Sequence, residues 1–160
     1  MGYSDYTLIR VDMHSCTDGP RISEGATVVI RDSYIHDLSR ANGNHNDGIE
    51  ITNAPNTKVI HNTILNSNGQ TSAVMISEFG SNSNSGVEIS NNLIGGGGYT
   101  VYGGAPDTAQ GHKVTNNVFT TRFFEDSGYY GPVAYWRTTG NTWSGNVWAD
   151  GPNAGRSVNP

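Results

Sequence analysis

The segment HNDGIEIT, residues 45–52, puts a histidine, two carboxylates and a strand-like alternation side by side. Asp47 and Glu50 are the residue types that serve as acid and base on a sugar, and His45 can carry a proton near neutral pH. Asp18 precedes Gly19 as Asp47 precedes Gly48, 29 residues apart. Stacked on neighbouring turns of a repeat, the two could share a proton, hold Ca²⁺, or divide the acid and base roles in glycoside cleavage. The plainer role of Asp-Gly is a chain corner, with the Asp capping its own backbone. Arg21 matches Glu50 at the same separation. Such a surface pair is worth under about 1 kcal/mol, unless Arg21 neutralises an acidic substrate. His14 starts a neighbouring strand. Tyr102, and Tyr129 and Tyr130 in the Gly-flanked DSGYYG, are side chains able to stack on a sugar or a partner.

These residues need a scaffold, and a repeat supplies it. LIRVDM (8–13), IRDSYI (30–35), VIHNTI (59–64), ISNNLI (89–94), VTNNVF (114–119) and WSGNVW (143–148) each open and close on a large apolar residue. Their first residues are 22, 29, 30, 25 and 29 positions apart, a spacing typical of solenoids. Strict alternation would put the two apolar ends on opposite faces, so the chain must turn between them. The bend is expected at the position held by Val11, Ser33, Asn62, Asn92, Asn117 and Asn146, and the Asn amides would bond one another in a column. A second series, DGPRIS (18–23), DGIEIT (47–52), SAVMIS (72–77), YTVYGG (99–104) and GPVAYW (131–136), adds another strand per turn. Here Ile49 and Ile51 point inward, Glu50 and Thr52 outward. Turn formers mark loops at RANGN (40–44), GSNSNSG (80–86) and GGAPDTAQG (103–111). No window has a helical period free of interruption. The expectation is one all-β domain over 1–160, a parallel β-helix of about five to six coils with an internal Asn ladder. An antiparallel sandwich is disfavoured, because Asn-Gly hairpins do not separate successive strands.

Composition agrees. Charged residues are 14% and hydrophobic residues 34%, with 21 Gly, which suits a turn-rich β-structure. The net charge of −5 speaks against nucleic acid, and no apolar run is long enough to enter a membrane. Cys16, the single cysteine, reads as a small packed side chain. Trp143 and Trp148 fall on apolar repeat positions and read as core and C-terminal plug.

The Asn-bend repeats resemble the right-handed parallel β-helix superfamily that includes pectate lyases and phage tailspikes. HNDGIEIT together with GYYGPVAYW and NTWSGNVWADG is similar to β-helix repeat proteins of actinobacteria and their phages. The resemblance covers nearly the whole chain. It implies an extracellular (secreted) or phage-virion module that engages polysaccharide, or else a structural or adhesion module of a tail or capsid surface. It also leads us to expect a fragment or uncapped subunit of a larger protein, homo-oligomer or assembly, because YTLIRVDM begins inside a rung. If the module is an enzyme, it would be a polysaccharide lyase or glycoside hydrolase. Asp47, Glu50 and His45 would be catalytic, and Arg21, Asp18, His14, Tyr102, Tyr129 and Tyr130 would bind substrate. No residue is assigned to a metal, Ca²⁺ being the one ion the Asp pair suggests. The departures are clear: the chain has no GHG, no DD, and lysines only at 58 and 113.

Overall fold

Short apolar stretches broken by polar corners leave the chain one economical way to pair its backbone, which is to lay each stretch on the one a turn earlier. The computed structural model, which describes residues 5–23, 25–40, 45–77, 84–104 and 110–160, has this arrangement. Its strands are β1 (Tyr6–Ile9), β2 (Asp12–Met13), β3 (Arg21–Ser23), β4 (Val28–Arg31), β5 (Tyr34–Ile35), β6 (Asp47–Thr52), β7 (Lys58–Ile60), β8 (Thr63–Asn66) and β9 (Ser72–Ser77). They continue as β10 (Glu88–Ser90), β11 (Leu93–Gly96), β12 (Tyr99–Gly103), β13 (Lys113–Thr115), β14 (Val118–Phe119), β15 (Gly131–Ala134), β16 (Thr142–Ser144) and β17 (Val147–Trp148). Every third strand joins the same sheet. Sheet A runs β1-β4-β7-β10-β13-β16, sheet B β2-β5-β8-β11-β14-β17, and sheet C β3-β6-β9-β12-β15. Neighbours within each sheet are parallel, which excludes the sandwich. The described residues contain no helix.

The apolar repeat positions stack in register. Leu8, Ile30, Val59, Ile89, Val114 and Trp143 form one inward column, and Met13, Ile35, Ile64, Ile94, Phe119 and Trp148 another. Ile49 and Ile51 face the core from sheet C, as expected. Cys16 is half-buried and packs against this core.

The Asn ladder joins sheets A and B. Asn62 Nδ2 donates to Asn92 Oδ1 at 3.0 Å, Asn92 Nδ2 to Asn117 Oδ1 at 2.9 Å, and Asn117 Nδ2 to Asn146 Oδ1 at 3.0 Å. Each Nδ2 also donates to a backbone carbonyl of the preceding turn, such as Ile30 O from Asn62. The same Oδ1 atoms accept the backbone N–H of the Asn before them, and Ser33 N–H donates to Asn62 Oδ1. The left-handed residue at the bend is not the Asn but the one before it. Arg10, Asp32, His61, Asn91 and Asn116 have φ between 54° and 57°, and Gly145 has φ 67°. Left-handed backbone costs a non-glycine residue about 1–2 kcal/mol. The buried amide network that follows the bends at His61, Asn91 and Asn116 offsets that cost there.

The last rung is covered by the C-terminal segment. Val147 bridges Ser157 in antiparallel fashion, Trp148 N–H donates to Arg156 O, and Val158 N–H to Asn146 O. Val158 is buried, and its carbonyl accepts from Trp143 Nε1 at 2.6 Å. Trp143 and Trp148 pack around Phe119, as core and plug. Most of the turn formers expected at 40–44, 80–86 and 103–111 lie outside the described residues, which omit 41–44, 78–83 and 105–109.

Candidate functional site

Strict alternation would turn Asp47 to the same side as Ile49, into the core. The chain avoids this at Gly48. A Cβ there would lie 2.6 Å from Ile64 Cγ2 and 2.3 Å from Ala73 O, so Gly48 faces inward beside Ile49. Two consecutive inward positions leave Asp47 and Glu50 on the outer face of sheet C. Ser72 and Met75, and Tyr99 and Tyr102, repeat the same three-residue spacing. Register then builds an outer column from Arg21, Glu50, Met75, Tyr102 and Ala134. Alongside it Asp47 pairs with Ser72, and Tyr99 with Gly131.

These columns floor a cleft of about 790 Å³. Asp18, Arg21, His45, Asp47, Glu50, Tyr102 and Tyr130 all line it, joined by Arg40, Gln70, Thr71 and Met75. His14 lies elsewhere: its Nδ1 is 3.0 Å from Ser15 Oγ and its ring stands 5.4 Å from that of His36. Tyr129 is not in the lining either. It covers Gly69 and meets Tyr130 edge-on at 4.8 Å.

Inside the cleft each carboxylate has a different environment. Asp47 is only 3% exposed and accepts Ser72 Oγ–H on Oδ1 at 2.5 Å. Burial, reinforced by the nearby charges of Glu50 and Asp18 and opposed by the Ser72 hydrogen bond, pushes its pKa up to about 7. Glu50 pairs with Arg21, Nε to Oε2 at 3.1 Å. Arg21 is 68% exposed there, so solvent screens the pair. Asp18 Oδ1 accepts the backbone N–H of Asp47 at 3.0 Å. The first Asp thus caps the next rung rather than its own backbone. Of the three carboxyl groups, Glu50 is thus engaged by Arg21 and Asp18 by the Asp47 amide. Among the described residues no group of three His, Cys, Asp or Glu side chains is placed to hold a metal.

Ser72, Arg40 and Tyr99 escaped the sequence reading. The repeat carried their signal, since Ser72 falls where Asp47 does in the aligned segments, and Gln70 lies one turn from Arg40, whose Nη2 it accepts at 2.8 Å.

A second groove, of about 610 Å³, follows the bend between sheets A and B past Arg10, Asp32, Tyr34 and His61. There Asp32 is held by His61 at 2.7 Å and Arg31 at 2.6 Å, which keep its carboxyl below the usual range. Its charges are already matched at the surface, and no buried acid stands beside them.

Parallel three-sided winding, an Asn ladder and an outward cleft define a β-solenoid. A family model described as right handed beta helix region matches residues 2–148, and the chain belongs to that family. Neither the curated proteins nor the solved structures contain a match to it.

Proposed function

We propose that this chain binds polysaccharide in the sheet C cleft and cleaves a glycosidic bond there, at a cell exterior or on a virion. The observation that carries the reading is Asp47, a buried carboxyl that keeps its proton to about pH 7 beside a second carboxylate in an open cleft. A carboxylic acid that stays protonated to near neutrality, set close to another carboxyl group, is what glycoside hydrolysis uses. Asp47 donates its proton to the glycosidic oxygen as the bond to the anomeric carbon breaks. Water adds to that carbon and gives its proton to Glu50, which Arg21 orients. His45 at the rim exchanges protons with solvent, while Tyr102 and Tyr130 stack on the sugar.

A panel of glycans assayed for both binding and product release, with native chain and Asp47→Asn, tests this. Native chain should release product, with the rate falling as pH rises through about 7 because the acid loses its proton. Asp47→Asn should bind as before and lose activity by about 100-fold or more. Equal turnover by both would end the catalytic reading. An unsaturated product would move the reaction to the lyase class.

A second reading, a structural or adhesion module of a tail or capsid surface, draws on Tyr129, Tyr130 and Tyr135, which are 60%, 67% and 65% exposed. Binding of no glycan, together with self-association lost in Tyr130→Ala, would favour it.

A further inference from the structure

The cleft changes character along the solenoid axis. Its floor is charged at Arg21 and Glu50, passes Met75, and becomes aromatic at Tyr102. Beyond the carboxylates the rings form an unbroken series. Tyr130 lies 5.7 Å from Tyr99, Tyr99 5.5 Å from Tyr102, and Tyr102 5.8 Å from Tyr135, centroid to centroid. Tyr99 sits edge-on to Tyr102, whereas Tyr102 and Tyr135 are inclined by only 30°. None of the four phenol hydroxyls is taken up by a hydrogen bond within the described chain. Tyr130 and Tyr135 are exposed and Tyr99 and Tyr102 half-buried, so the series offers apolar ring faces with polar rims. This suits a pyranose whose axial C–H groups point out from its face and whose equatorial hydroxyls project sideways.

We infer that Tyr99, Tyr102, Tyr130 and Tyr135 form an extended binding platform for consecutive units of a linear glycan whose sugars present an apolar face. This rests on the polysaccharide reading above and adds the ligand's length and stereochemistry to it. From the level of Asp47 to that of Tyr135 is three rung steps of about 4.8 Å, roughly 14 Å in all, which is room for several sugars and not for one. The same rings could serve a protein partner. Their continuity with the carboxylate floor, which Tyr102 and Tyr130 share, favours the sugar chain.

Calorimetric titration with cello-, chito- and galacturono-oligosaccharides from dimer to hexamer tests the inference, using native chain, Tyr135→Ala and Tyr99→Phe. Affinity should climb with length in at least one series. Tyr135→Ala should weaken the hexamer about fivefold to tenfold and leave the dimer nearly unchanged. Tyr99→Phe, which keeps the ring, should retain most of the affinity. Tyr135 is exposed, so its truncation spares the fold, and circular dichroism verifies that. Length-independent binding, or a hexamer affinity untouched by Tyr135→Ala, would overturn the platform while leaving cleavage at Asp47 standing. Length-dependent binding without product release would do the reverse. No glycan binding, with Tyr135→Ala turning a dimer into a monomer by sedimentation, would assign the rings to a protein contact and also overturn it.

Discussion

Asp47 shows how much one side chain's surroundings determine. In the fold it holds its proton to about pH 7, whereas in the unfolded chain it releases it near the ordinary carboxylate value of 3.8. The folded state therefore carries the extra proton across that window, and this contribution to stability is lost as pH rises through about 7. His112 works in the opposite direction. Burial lowers its pKa to about 4, so it stays neutral in the fold while the unfolded chain takes up a proton below about 6.5. Its contribution is lost as pH falls through that interval. The two slopes oppose each other between roughly pH 4 and pH 6.5. Asp47→Asn should uncover the histidine slope, so that denaturation midpoints rise with pH across that range, and the variant should exceed native chain above about pH 7. Native and variant curves of identical shape would show that Asp47 is an ordinary carboxylate.

The elements are short, and several strands have only two residues. Strands of that length persist because the corner between them is satisfied from inside. In the ladder, Asn92 donates to Val59 O and Asn117 Oδ1 and accepts from Asn62, through both Nδ2 and the backbone N–H. Asn92→Ala strands these partners in the interior, at about 1–3 kcal/mol for each group left without one. The expected loss is about 2–4 kcal/mol, read as a shift in the guanidinium midpoint, with faster exchange of the β8 and β11 amides. A shift no larger than that of an exposed control such as Asn153→Ala would mean that the ladder contributes little.

At the scale of the molecule, a stack of parallel strands ends in unpaired edges that invite another chain. Here the segment after β17 turns back, bridges Val147 through Ser157 and seats Val158 over the last rung. Val158→Asp should lift that segment, because an unpaired carboxylate cannot remain among Trp143 and Phe119. The freed edge should then drive concentration-dependent association, visible by sedimentation velocity. A variant that stays as monodisperse as native chain would show that the edge is protected by other means. The cap also locates a limit of the sequence reading. The spacing of Trp143 and Trp148 revealed a plug, but nothing in GPNAGRSVNP announces a segment that turns back to bridge Val147 through Ser157.

The winding was written in the residues themselves. Apolar positions at recurring intervals, with an amide before the closing one in four of the six repeats, admit a parallel coil and little else, because only stacking buries both the apolar columns and the corner amides. The outward Glu50 and Arg21 followed from that register. The bend fell one residue earlier than the Asn, since a left-handed backbone leaves no pattern when Arg10, Asp32 and His61 all adopt it. His14 went astray because it follows β2 of sheet B, well before the corner that opens sheet C. Only the tertiary structure decided that Gly48 turns Asp47 outward, that Ser72 meets it, and that the rings of Tyr99 and Tyr135 stand beside Tyr102. The physical reason is that proton affinity and ring exposure depend on neighbours a whole turn away, and local spacing cannot encode what those neighbours remove from water.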